Sequence, residues 1–270
     1  MIPASFEYER VESVEEAVEL LGRDEDAKLL SGGHSLIPAM KLRIARPALL
    51  VDVGGLGLDA IAVNGGELHV GALATWDDLA RSPALGRPAL GAIAECAAGI
   101  GDLQVRNRGT LGGGLVHADP ASDMPAVVLA LGAGLIARSP EGERAIAADE
   151  FFLGPFTTAL AQGELLMEIV APLPPPRSGS AYVSIEHPAS GFALAGAAAL
   201  VLPDGTRRVA VTGLAGRPAL LPGGEPTDEL EAFGDRFAPA EYRRHLAAVV
   251  ARRALERAAA RAEEDASWTA

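Results

Sequence analysis

The sequence predicts an α+β protein in two parts, residues 1–172 and 177–270. Three observations carry this reading. Early in the chain, two short apolar runs flank a glycine turn and a short helical stretch. Across the middle, alanine-rich helical segments alternate with strand-like runs. Then, in "VAPLPPPRSGSA" (Val170–Ala181), four prolines fall in five positions, which neither a helix interior nor a central strand accommodates. The first part is expected to be a small βαβ unit followed by a mixed sheet with helices. The second is expected to be a three-stranded antiparallel sheet with a helical bundle.

In chain order, "SVEEAVELLG" (Ser13–Gly22) reads as a helix. Ser13 can cap it, Glu16 completes a capping box, and Gly22 can end it. Val14, Ala17, Val18 and Leu21 recur at helical spacing. "AKLLSGG" is a short buried strand running into a glycine turn, and "ALLVDVGG" (Ala48–Gly55) is a second strand. Strand, short helix and strand imply a parallel pair. "ELHVG" alternates as a strand, and "TWDDLARSP" is a short helix capped by Thr75. "PALGAIAECAAGIG" (Pro88–Gly101) is an alanine-rich helix ended by glycine. Asp119-Pro120 resembles a helix start, running to about Leu131 and followed by a strand. Beyond the proline run come three strands, with "LPDGT" as a hairpin turn. A long C-terminal helix follows, whose Arg-rich second half is expected to be a solvated face.

At 270 residues and 49% hydrophobic composition, the chain can bury a large core. Its net charge of −13 repels phosphate backbones, so a broad nucleic-acid-binding face is not expected. An anionic ligand must instead be held locally, by backbone amides or a helix end. Cys96 is the single cysteine. It can form no internal disulfide and no iron–sulfur or zinc site alone, and reads as a small buried residue. "MIPASFEYERVES" lacks the pattern of a signal peptide, and runs such as "AVVLALGAGLIA" are too short to span a bilayer. The expectation is a cytoplasmic protein without a membrane span.

Two glycine-bearing loops carry the chemistry. "SGGHSLIPAM" (Ser31–Met40) directly follows a strand. Glycine permits positive φ and close ligand approach, and consecutive amides can form a nest for an anion. Ser35 can cap the following helix or donate to a phosphate. In "RNRGTLGGGLVHADPASDMP" (Arg106–Pro125), Thr110 offers a hydroxyl and Leu111, Gly112, Gly113 and Gly114 offer four successive amides. Asp119 reads as a cap, whereas Asp123 suits either a cap or an acceptor for ligand hydroxyls. His34 and His117 have no matching partners, so no metal is assigned. Two amide-rich loops fit a ligand with two phosphates, such as a dinucleotide.

"LLSGGHSLIPAMKLRIARPALLVDV", "QVRNRGTLGGGLVHADPASDMPAVVLAL", "FFLGPFTTALAQGELLMEI" and "EYRRHLAAVVARRAL" together resemble the flavoprotein subunit family of the molybdenum hydroxylases. This family includes the medium subunits of aerobic carbon monoxide dehydrogenases and the FAD domain of xanthine dehydrogenases. The resemblance spans almost the whole chain in the same order. It implies an FAD-binding domain at 1–172, followed by the family's C-terminal domain at 177–270. It implies that Ser31, Gly32, Gly33, His34 and Ser35 form one FAD loop and Thr110 to Gly114 the other, both around the pyrophosphate. Asp123 corresponds to an FAD-contacting aspartate, Leu166 or its neighbour Leu165 to a contacting leucine, and Ile100 to a position near the adenine half. Phe192 corresponds to the residue covering one face of the isoalloxazine. The implied partners are a molybdopterin large subunit, a 2Fe–2S small subunit and an external electron acceptor.

The chain departs from the family in three places. Gly114 stands where relatives usually carry Asn or Ser. Ser184, a cofactor-site position in this reading, stands where they usually carry Lys, and His187 stands where they carry Arg. These departures leave two other readings open: a stand-alone FAD-dependent oxidoreductase acting on a small molecule, or a scaffold module that has lost FAD.

Overall fold

The computed structural model describes residues 2–268 apart from 225 and 227–229. The chain opens with β1 (Glu7–Arg10), α1 (Val14–Arg23), β2 (Lys28–Leu30), α2 (Leu36–Lys41) and β3 (Leu49–Asp52). β2 and β3 form the expected parallel pair, and β1 adds itself parallel to the other edge of β3. All four β1 residues are exposed, so it carries no apolar alternation that would reveal a strand. Ser13 caps α1 by accepting the Glu16 N–H at 3.2 Å. The helix runs past Gly22 to Arg23. Ala17, Val18 and Leu165 close a small core with Val51 and Val53.

Next come β4 (Ile61–Asn64), β5 (Glu67–Gly71), α3 (Trp76–Arg81), α4 (Gly91–Gly99), α5 (Leu103–Arg106), α6 (Leu111–His117) and α7 (Met124–Leu131). They lead to β6 (Gly134–Ser139), β7 (Gly142–Ala147), α8 (Ala148–Phe151), β8 (Phe152–Gly154), β9 (Thr157–Thr158) and β10 (Leu165–Pro172). The large sheet has the order β4-β5-β10-β6-β7, and every pair in it is antiparallel. The expected mixed sheet is therefore corrected. Tight hairpins join β4 to β5 and β6 to β7, and a hairpin permits only an antiparallel pair. Every residue of α7 is buried, and the main core surrounds it. Asp119-Pro120 does not start that helix. Asp119 accepts the Ala121 N–H at 2.9 Å in a local turn, and Pro125 occupies the first turn of α7.

The second part holds β11 (Gly179–Glu186), β12 (Ala193–Val201), β13 (Arg207–Thr212), β14 (Ala219–Leu220) and α9 (Ala240–Trp268). The sheet has four strands, because two-residue β14 pairs with β13, a feature too short to carry a periodicity. In place of a bundle, one 29-residue helix lies across β11 and β12. Small residues let it sit close: Ala195, Ala197 and Ala199 meet Ala247, Ala251, Ala254 and Ala258 in one core. The arginine face is only partly solvated. Arg252 and Arg253 are exposed, but Arg257 and Arg261 reach Glu95 on α4 at 3.0 and 2.6 Å. Burial opposes ionisation of Glu95, yet these cations and the Tyr182 N–H outweigh it and hold its pKa below the ordinary value. Arg208 on β13 donates to the carbonyls of Ala130 and Leu129, satisfying the C-terminal end of α7.

Arg243 on α9 is 3% exposed. It donates to the carbonyls of Leu194 and Gly213 and to Asp235, each at 2.8 Å. Arg243→Met strands two carbonyls and removes the cation beside Asp235, whose carboxylate keeps the N–H groups of Phe237 and Ala238. It is expected to cost on the order of 3 kcal/mol, read as a lower midpoint of chemical unfolding. Among the described residues, no helix is long and apolar enough to cross a membrane.

Candidate cofactor-binding site

The first loop leaves β2 at Leu30 and turns at Gly33, whose φ of +74° glycine adopts without strain. The carbonyls of Gly33 and Ser35 accept the N–H groups of Ile37 and Ala39, both at 3.1 Å. Among the described residues, the amides of Gly32, Gly33, His34 and Ser35 find no acceptor in the protein. The Ser35 hydroxyl makes no capping bond. The His34 ring turns back, its Nδ1 2.9 Å from the Gly32 carbonyl. A concave run of unpaid amide donors is the form that an anion nest takes.

The second loop behaves differently. It is not an open loop of bare amides but the first turn of α6, with Thr110 as its cap. Leu111 and Gly112 donate to the carbonyls of Ala74 and Ala72, both at 2.8 Å. Gly113 donates to Thr110 Oγ1 at 3.2 Å, and Gly114 to the Thr110 carbonyl at 3.0 Å. The expected four-amide cradle at this loop is therefore corrected: all four donors are consumed inside the fold. The glycines serve packing instead. A methyl on Gly112 would lie 2.6 Å from Ala72 Cβ, and one on Gly113 would lie 2.8 Å from Thr110 Oγ1 and 3.0 Å from Ser31 Oγ. A methyl on Gly114 would sit 2.6 Å from the Trp76 ring. The buried indole fills the space an Asn or Ser side chain would need, which gives that departure a steric reason.

The two loops meet. Ser31 Oγ lies 3.1 Å from Thr110 Oγ1, and Gly32 packs flat against the Arg108 carbonyl and Gly109. A donor-rich loop thus rests on a floor without side chains.

Asp123 ends the 118–123 turn, directly before α7. It makes no capping bond, and its Oδ1 accepts the Tyr182 phenol of β11. Burial pushes its pKa up to about 6, the Tyr182 bond partly opposes that, and the Glu186 charge adds to it. Burial first, then the Asp123 charge, pushes the phenol well above its ordinary range. The phenol crosses the strand pair over Gly196, where a side chain would collide with it. Ser184, cross-strand partner of Gly196, lies beside the same phenol and partly opposes the rise in its pKa. The sequence reading missed Tyr182 and Trp76. The signal that was available is a buried-strand tyrosine facing a glycine.

Phe192 is half exposed, in a turn closed by the His187 N–H on its carbonyl at 2.8 Å. It precedes β12 and is not a core residue. The His187 ring stacks on Phe237 with centroids 4.4 Å apart. Ile100 is half-buried, and its carbonyl accepts from Arg106 at 3.3 Å. Leu165 and Leu166 both point into cores, so neither side chain joins the two loops.

The sequence profile of the FAD binding domain in molybdopterin dehydrogenase matches residues 4–174. The carbon monoxide dehydrogenase medium chain of Afipia carboxidovorans is 38% identical, over 97% of this chain and all of that one. The caffeine dehydrogenase subunit beta of a Pseudomonas species is 32% identical, over 97% of each. Among solved structures, carbon monoxide dehydrogenase from Hydrogenophaga pseudoflava superposes with a TM-score of 0.90 at 37% identity, over 97% of this chain and 99% of that one. Quinoline 2-oxidoreductase from Pseudomonas putida 86 gives 0.89 at 28% identity, again over 97% and 99%. Fold, loop order and near end-to-end coverage agree, and the chain belongs to the family of FAD-binding subunits of the molybdenum hydroxylases.

Proposed function

We propose that this chain binds FAD where its two glycine loops meet and acts as the electron-transfer subunit of a molybdenum hydroxylase complex. The observation carrying this is the row of unpaired amides at Gly32–Ser35 set against a side-chain-free floor. In a body of net charge −13, an anion needs such local donors. The residues fit a diphosphate: Gly32, Gly33, His34 and Ser35 donate, Thr110 and the exposed Gly113 lie beside them, and Gly112 and Gly114 let the turn pack closely enough to hold that geometry. Asp123 accepts from ligand hydroxyls, and Ser184 and Ile100 border the cofactor. Leu166, buried among core residues, acts through its backbone or through packing.

When bound, FAD supplies redox chemistry between the 2Fe–2S centres of a partner and an external acceptor. The chain's own task is binding, orientation and tuning. Its single cysteine, fully buried, leaves iron–sulfur ligation to a small subunit and substrate chemistry to a molybdopterin large subunit. The division at 172–177, with its proline run, falls close to where the family profile ends. A cytoplasmic complex fits this reading.

The test is a visible spectrum of the pure protein. Flavin bands, with FAD rather than FMN released on denaturation, are expected. A colourless chain that takes up no added FAD would refute the reading. Phe192→Ala is expected to leave FAD bound but to change its absorption envelope and its reoxidation rate, because a half-exposed ring assigned to the flavin face is removed. An unchanged spectrum and rate would exclude that role.

A further inference from the structure

We propose that Tyr182 is a positioning residue for the cofactor, acting through the Asp123 carboxylate. The inference rests on the reading of Asp123 as the acceptor of a cofactor hydroxyl.

Asp123 stands immediately before a helix, a place where a carboxylate ordinarily turns to cap the first amides. Here it does not cap. Its Oδ1 is taken by the Tyr182 phenol, which leaves Oδ2 as the acceptor for a ligand. The tyrosine is itself fixed at both ends. Its N–H donates to Glu95 Oε2 at 3.0 Å, and Glu95 is held by Arg257 and Arg261 of α9. Its ring passes over Gly196, with Ser184 beside the phenol and Thr212 Cγ2 3.0 Å from where a Gly196 side chain would begin. Only a glycine at 196 lets the phenol reach α7. The pair is therefore built by residues on three strands and two helices, none of them in the glycine loops.

The titratable groups facing Asp123 are Cys96 on α4 and Tyr182 and Glu186 on β11. Burial raises both the thiol and the phenol, so each stays neutral near pH 7. Asp123 itself, raised to about 6 by burial, changes protonation within the range tested below. Its carboxylate form accepts from the ligand, and the phenol both orients that form and favours it.

The test measures FAD affinity of the full-length chain, by quenching of flavin fluorescence, from pH 5 to 9. The proteins compared are the wild type, Tyr182→Phe, Asp123→Asn and the double variant, each checked by circular dichroism. Tyr182→Phe is expected to weaken FAD roughly tenfold at pH 7 and to raise the pH below which affinity falls. In the Asp123→Asn background the same change is expected to cost less than about twofold, because the ionised carboxylate that the phenol orients and favours is gone. Equal losses in both backgrounds, or an unmoved pH profile, would make Tyr182 merely structural and overturn the proposal. FAD affinity untouched by Asp123→Asn would remove the underlying contact, and the proposal with it. A wild type that binds no FAD would instead refute the function proposed above.

Discussion

Gly32→Ala is expected to empty the cofactor site and loosen the junction of the two loops. The added methyl would fall onto the Arg108 carbonyl, with Gly109 Cα 2.8 Å away. Both neighbours are backbone, so no rotamer relieves the overlap. The loops must separate, breaking the 3.1 Å contact between Ser31 and Thr110 and carrying the amide donors off their floor. Overpacking of this kind costs about 1–3 kcal/mol, and the lost geometry is expected to abolish FAD retention. Gly22→Ala is the matched control. A methyl added there, inside α1, would meet no other part of the chain within 4 Å. It should bind FAD normally and gain about 0.5–1 kcal/mol. Visible spectra and urea midpoints read both. Wild-type flavin occupancy in Gly32→Ala would show that the loops do not pack as described.

Asp123→Asn is expected to stabilise the free protein while weakening FAD. Burial raises this carboxyl from 3.8 to about 6. Between those values the folded chain holds more protons than the unfolded one, so stability falls as pH rises through about 6. Above that pH the ionised group is a standing cost. Asparagine keeps an oxygen for the Tyr182 phenol but carries no charge to desolvate. The apo-protein should gain on the order of 1–2 kcal/mol at pH 7.5, with the gain shrinking towards pH 4. FAD affinity should drop at least roughly tenfold, the loss expected when a charge-assisted acceptor becomes a neutral one. Destabilisation of the apo-protein at pH 7.5 would contradict the buried-carboxylate account. Such a trade marks a residue kept for binding rather than for folding.

Much of this was legible in the residues. Ser13 and Thr75 announced their helices, because capping chemistry is local. The β2–α2–β3 unit declared itself by apolar runs around a glycine turn. The α+β architecture, and membership of a flavoprotein family, followed from motif order along nearly the whole chain. Other features were not local. β1 has no buried face, so only the edge of β3 makes it a strand. The antiparallel order of the large sheet depends on β10 arriving from 94 residues beyond β5 to lie beside it. The glycines at 112–114 looked like bare donors because sequence cannot show that Ala72, Ala74 and Thr110 already accept from that turn. Tyr182 was hidden for the same reason: its partner lies 59 positions away.

One consequence follows from how α7 is held. Its leading carboxylate is fixed by Tyr182 and its trailing carbonyls by Arg208. Both anchors lie beyond residue 174, where the family profile stops. A C-terminal half carrying other residues at 182 and 208 is therefore expected to alter ligand affinity in the N-terminal half without changing a single residue there.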